Sequence, residues 1–268
     1  MNIKPYLALF RIRYTNSLQY RAAAIAGLAT QFAWGFLLIL GFYAFYQTDP
    51  AALPMTMQQT ASYIWMQQAF MMLFFVWFFD MSIFESIESG HIAYELARPV
   101  DLYGRWFAQT SANRIASATL RCLPIFVVGV FLPYHMRLVF PGAMQFGLFV
   151  ISMFLAMGVV VSFTMLVYVS AFKTINSLGT RIAVGIAGDF LSGGIIPVPF
   201  CPATLQFVVE LSPFGAMMNM PLRIFNGHLY GTELARGMVL QVFWLVVLIM
   251  VGRLWMKRSL KKVIVQGG

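Results

Sequence analysis

The chain has 268 residues, 60% hydrophobic and only 10% charged, with a mean hydropathy of +0.77. A soluble domain carries about a quarter charged residues, so the composition points away from a water-soluble globule and towards a membrane protein. The net charge of +9 tracks the membrane boundary, as shown below, and is not read as nucleic-acid affinity.

Residues 3 to 21 come first. Ile3, Leu7, Phe10, Tyr14 and Leu18 recur at helical spacing, with Arg11, Arg13 and Arg21 elsewhere on the turn. This basic amphipathic pattern suits an interfacial helix in an anionic headgroup layer. A signal peptide fits less well, because the apolar run Ala22 to Tyr46 is too long for an h-region and no small-residue cleavage site ends it. That run is the first expected span. Five more follow, at about Thr60 to Phe79, Thr110 to Leu132, Gln145 to Ser170, Thr180 to Ile196 and Gly237 to Met256, each near the about 20 residues a bilayer requires. The expected fold is all-α, with six transmembrane helices in one domain spanning residues 1–268.

Between the second and third expected spans lies a polar island, Asp80 to Arg114, which holds Asp80, Glu85, Glu88, Glu95 and Asp101 of the nine acidic residues. Ser82 and Glu85 have capping-box spacing. Ile83, Phe84 and Ile87 fall on one apolar face, and Gly90 is a natural C-terminal stop. A second segment, His91 to Ala97, carries Tyr94, Glu95 and Leu96 and ends at Arg98-Pro99, because the residue before a proline leaves the helical region. Asp101 then caps a third helix. Two readings compete. A solvated loop explains the charges, but connecting loops are commonly shorter and less regularly capped. A docking knob explains the capping and the apolar face together.

Basic residues set the expected orientation. Lys4, Arg11, Arg13 and Arg21, then Arg98, Arg105 and Arg114, then Lys173 and Arg181, and finally Arg253, Lys257, Arg258, Lys261 and Lys262 fall on one side; the other holds only Arg137, Arg223 and Arg236. Both termini and the island are therefore expected in the cytoplasm. The outer segment 197–236 is too apolar for a free loop (Phe200, Leu205, Phe207, Leu211) and is interrupted at Pro213-Phe214. It reads either as a reentrant helical pair, since irregular backbone at membrane depth must be covered, or as a surface-lying amphipathic loop.

Arg121 and Asp189 are the ionisable residues placed deepest in the expected spans, and such residues need a partner or water. They either approach each other, or Arg121 snorkels while Asp189 sits in a wet vestibule. Small residues line the fifth expected span (Ala183, Gly185, Ala187, Gly188, Gly193, Gly194), and Ala22, Ala26 and Thr30 are spaced by four on the first. Either set is a candidate helix seam. Cys122 and Cys201 set no disulfide framework. His91 with Glu88 and Glu95 is the one His–carboxylate group, and capping accounts for it as well as catalysis does. No metal-ligand spacing and no phosphate-binding loop of the G-x-x-x-x-G-K-[ST] type occurs.

The run Gly90-His91-Ile92-Ala93-Tyr94-Glu95-Leu96-Ala97-Arg98-Pro99-Val100-Asp101-Leu102-Tyr103, followed by Arg105-Trp106-Phe107, resembles type-2 ABC transporter permeases. The nearest pattern is that of the bacterial subfamily with a separate ATPase and a second, non-identical permease. Ser192 to Pro197, Ser212-Pro213-Phe214 and Pro221 to Gly227 resemble that family's outer reentrant region, so Gly193, Gly194, Pro197, Pro213 and Phe214 are carried over to it. The resemblance implies an elbow helix over 1–21 and a coupling region over 80–109. Ile83, Phe84, Glu85, Ile87, Glu88, Gly90, Tyr94, Glu95, Leu96, Arg98 and Pro99 would there meet a cytosolic ATPase dimer that binds ATP and Mg. It also implies a second permease (a sister chain or a copy), no cofactor or catalytic site in this chain, and a place in the bacterial inner membrane. Export of a small amphipathic molecule, a drug, a lipid-like compound or a peptide, is the implied activity. An ion-gradient-driven transporter or channel is the alternative, but it would line its path with several acidic or His residues, and the spans offer only Asp189 and Arg121. A membrane-embedded enzyme lacks an acid–base or metal set.

Overall fold

The structure is a computed structural model that describes residues 3–19, 21–49, 51, 53–174 and 176–261, with the side chains of residues 21–23 excepted. Lys262 and the side chains of Arg21 and Ala22 thus lie outside the described residues. Among those described there is no strand. The helices are α1 (Lys4–Ser17), α2 (Arg21–Thr48), α3 (Met57–Ala69), α4 (Met71–Phe74), α5 (Met81–Glu88), α6 (Ile92–Leu96), α7 (Leu102–Phe131), α8 (Ala143–Ser170), α9 (Leu178–Leu191), α10 (Ala203–Leu211), α11 (Met220–Phe225) and α12 (Gly231–Leu260).

The expectation of six transmembrane helices is corrected to four long ones, while the segments 57–79 and 178–200 pass between the two ends of the bundle as broken pieces. Among the described residues, only Ala24–Thr48, Leu102–Phe131, Ala143–Ser170 and Gly231–Leu260 are long and apolar enough to cross a membrane as single helices. At 1.5 Å per residue, the 13 residues of α3 and the 14 of α9 reach about 20 Å, short of the about 30 Å hydrocarbon layer. The supposed second span fails for a further reason. Helix α3 is walled in by protein on all sides, with Tyr63, Ile64, Trp65 and Met66 at most 1% exposed. It stops at Phe70 (φ −110°, ψ 18°), resumes for one turn as α4, and runs extended from Phe75. The supposed fifth span stops where Gly193 takes φ 86°, a value that favours glycine.

The other architectural expectations change as well. Helix α1 packs along the first half of α7, with Tyr6 against Gly104 and Ser17 donating to Asn113. Its expected apolar face divides: Phe10, Tyr14 and Leu18 are half-buried, with the Tyr14 hydroxyl donating to Thr119 of α7, while Ile3 and Leu7 stay exposed. The reentrant pair becomes a chain of short pieces: a 3-10 turn Val198–Phe200, α10, a wide π-type turn Gly215–Asn219 kinked at Met217, and α11. Gly215 to Phe225 is buried throughout and belongs to the core, with Phe225 edge-on to Phe149 of α8 at 5.1 Å.

Helices α8 and α12 run side by side. Gly158 lets Leu245 come within 2.9 Å of where a Cβ would sit, and Gln241 bridges Ser152 and the Ala216 carbonyl. The bundle has two ends. At one, Tyr103 lies against Gly252 of α12 and Trp106 stacks on Phe172. At the other, residues 134–141 fold back over α3, where Trp65 Nε1 donates to the Met136 carbonyl at 2.8 Å.

Candidate functional site

The island folds as a knob at the first of these ends, and Asp80 is its hub. Its carboxylate caps α5 by accepting from Ser82 N–H at 3.1 Å and Ser82 Oγ at 2.7 Å. The other oxygen accepts from Gln109 at 2.8 Å and Asn113 at 2.7 Å, both on α7, while Asp80 N–H donates to Tyr168 of α8 at 2.7 Å. The cap is thus Asp80 and not the expected Ser82–Glu85 box. One carboxylate satisfies a free helix N–H and fastens the knob to two long helices.

The remaining acidic residues divide. Glu95 accepts from Trp106 Nε1 at 2.9 Å and pairs with Arg105 at 3.3 Å, so it faces the bundle. Glu88 accepts from Ser177 N–H at 3.2 Å and Ser177 Oγ at 2.7 Å, which ties α5 to the start of α9. These two bonds hold the Glu88 carboxyl below its ordinary pKa. The His91–Glu88–Glu95 group does not assemble, since both carboxylates are turned to other partners and the His91 ring lies 6.1 Å from Tyr94.

The apolar residues of the knob also divide. Ile83 and Phe84 are 1% exposed, with Phe84 edge-on to Tyr168 at 5.0 Å; they anchor the knob. Ile87 is half-buried, whereas Glu85, Gly90 (φ 78°), Tyr94, Leu96, Arg98 and Pro99 are exposed. Tyr94, at 74%, is the most exposed of the knob's large apolar side chains.

Above the knob, a buried cation holds the broken segment together. Arg114, only 2% exposed, sends Nη1 to the carbonyls of Met72, Leu73 and Phe75 (3.2, 3.2 and 2.9 Å) and Nη2 to that of Phe78 (2.7 Å) and to Thr164 Oγ1 (3.4 Å). These are carbonyls that an unbroken helix would have satisfied itself. From the opposite side, Asp189 accepts from Val76 N–H at 2.9 Å. Arg114 and Asp189 therefore clamp the same stretch of extended backbone. Arg121 stands apart: it bonds to its own helix at Ser117 O (3.3 Å) and lies over Gly27, whose missing side chain leaves it room.

Gly193 and Gly194 form the turn after α9, and Gln67 of α3 donates to the Gly194 carbonyl. Pro197 precedes the 3-10 turn, and Pro213-Phe214 leads into the π-type turn with Phe214 edge-on to Phe163 at 5.3 Å. Sequence reasoning passed over three structural residues: Arg114, counted as a boundary cation, Asp80 as hub, and Gln67. The available signal for Arg114 was its place a dozen residues inside the α7 helix, where a guanidinium needs acceptors.

The family model for ABC-2 family transporter proteins matches residues 32–267. The chain belongs to this family. It is a membrane-embedded, multi-pass transporter domain, in which, among the described residues, no group of three or more His, Cys, Asp or Glu is placed to hold a metal ion. No curated protein was found to match the chain. In this ABC-2 domain the knob, the Arg114–Asp189 clamp and the broken outer segment are the features that depart from simple spans.

Proposed function

We propose that the chain is the permease subunit of an ATP-driven exporter in a bacterial cytoplasmic membrane, with a separate ATPase docking on the exposed side of segment 82–99. One observation carries this reading. The knob is bonded on one side to α7, α8 and α9 through Asp80 and Glu88, and it leaves Tyr94, Leu96, Glu85 and Arg98 free on the other. A push on the free side is delivered directly to three helices. Fuel comes from ATP and Mg held by the ATPase chains, and a second permease, sister or copy, completes the pathway. Both termini lie on the ATPase side. A small amphipathic cargo fits the cleft of about 490 Å³ between Trp77–Phe79 and α9, where Ile182 and Ile186 supply apolar wall and Asp189 and Arg181 supply charge.

The test separates docking from transmission. Tyr94→Asp and Leu96→Asp place a charge in the contact and weaken ATPase binding about tenfold or more, with membrane insertion unchanged. Asp80→Ala leaves ATPase binding in place but lowers transport per ATP hydrolysed. Normal ATPase binding and stimulation in both surface variants, or labelling of Tyr94 from the extracytoplasmic side, removes the proposal.

A further inference from the structure

At the end of the bundle away from the knob, α10, the π-type turn, α11 and the start of α12 enclose a cavity of about 240 Å³. A water molecule occupies about 30 Å³, so there is room for a small organic molecule. The cavity is walled by charge and amide groups where its surroundings are apolar. Arg223 pairs with Glu210. Glu233 and Arg236, one turn apart on α12, form no ion pair among the described residues and also line the cavity.

Two residues that line this space each hold a buried atom without a hydrogen-bond partner: Asn219 Oδ1 and Arg223 Nε. Asn219 is 2% and Arg223 8% exposed. One orphan is an acceptor and the other a donor, and buried polar groups are rarely left so. The π-type turn that carries Asn219 is closely packed: Met220 fills the space over Gly237, and the Val209 carbonyl lies 2.5 Å from where a Gly215 Cβ would sit.

We propose that this cavity binds a small zwitterion, a molecule with an ammonium and an oxyanion a few bonds apart. The four ionic residues cancel formally, which disfavours a ligand of large net charge. Glu233 receives the ammonium and Arg236 donates to the carboxylate or phosphate, with the Asn219 amide and the Arg223–Glu210 pair in the wall beside them. The same chemistry is found in a free amino acid and in an ethanolamine lipid headgroup. Binding does not depend on the ATPase reading, because cavity and knob sit at opposite ends of α12.

The test uses the full chain without any ATPase, titrated calorimetrically with O-phosphoethanolamine, glycine, ethanolamine alone and inorganic phosphate. Saturable binding of the two zwitterions is expected, at least tenfold tighter than either single-charge probe. Arg236→Gln and Glu233→Gln, both at the exposed rim, should each weaken it roughly tenfold or more. Repeating the titration in nanodiscs with and without phosphatidylethanolamine identifies the source: competition by the lipid assigns the site to a headgroup, and no competition assigns it to a free molecule. Equal binding of all four probes, no binding of any, or unaltered binding in both rim variants overturns the proposal.

Discussion

The bundle gives way to irregular backbone twice, after α3 and after α9, and the two breaks are made by different means. The second is written in its own residues: Gly193 adopts φ 86°, and Pro197, Pro199 and Pro202 cannot continue a helix. The first has neither glycine nor proline anywhere between Pro54 and Gly90. It exists because residues distant in sequence take up the backbone groups it frees: Gln31 donates to the Gln68 carbonyl at 3.0 Å, Arg114 to four carbonyls, and Asp189 accepts from Val76 N–H. A local break is robust to changes elsewhere. A break held by side chains from elsewhere is only as stable as those side chains. The two are also joined, through Asp189 to Val76 and Gln67 to Gly194, so movement at one is felt at the other.

The comparison is broken most severely at Arg114. Arg114→Met strands four carbonyls in protein interior and is expected to cost at least about 3 kcal/mol, read as loss of monodisperse protein and a lower unfolding temperature in detergent. Arg114→Lys should recover little, since one ammonium cannot reproduce a two-pronged guanidinium fork. By contrast, Ser162, deep in the unbroken α8, donates to the Gly158 carbonyl of its own helix, and Ser162→Ala should change stability by less than about 1 kcal/mol.

Gly193→Ala probes the second break. A side chain there meets the Tyr63 hydroxyl at 3.0 Å and must hold a left-handed backbone, at about 1–2 kcal/mol. The same unfolding assay should place it clearly below Arg114→Met in effect. A larger loss at Gly193 would reverse the ranking of the two breaks.

The smallest effect concerns the tie at Glu88 between α5 and the start of α9, the helix that runs to the second break. Its carboxyl titrates below its ordinary value near 4.5 because Ser177 donates to the ionised form. A depressed folded-state value means the contribution is complete above about pH 4.5 and is lost as pH falls through the lower folded value. Wild type and Ser177→Ala should therefore differ slightly in unfolding temperature near neutral pH and converge on acidification. A difference that persists in acid would assign the tie to packing instead of the carboxylate.

Composition and charge placement alone determined that this is an all-helical membrane chain, and residue type alone marked the knob: Asp80 to Pro99 has caps and stops that work locally, whatever packs around them. The glycine and proline stops after α9 were equally plain. The number of unbroken spanning helices was not, because Thr60 to Phe79 has the hydropathy of a span while its backbone depends on Gln31, Arg114 and Asp189, which are distant in sequence. The division of the knob into an anchored side (Ile83, Phe84, Glu95) and a free side (Tyr94, Leu96, Arg98) was likewise hidden, since it depends on where Tyr168, Trp106 and Ser177 arrive. Helical periodicity says which residues share a face; only the assembled bundle decides what that face meets, because burial and hydrogen bonding are properties of pairs of segments and not of either one.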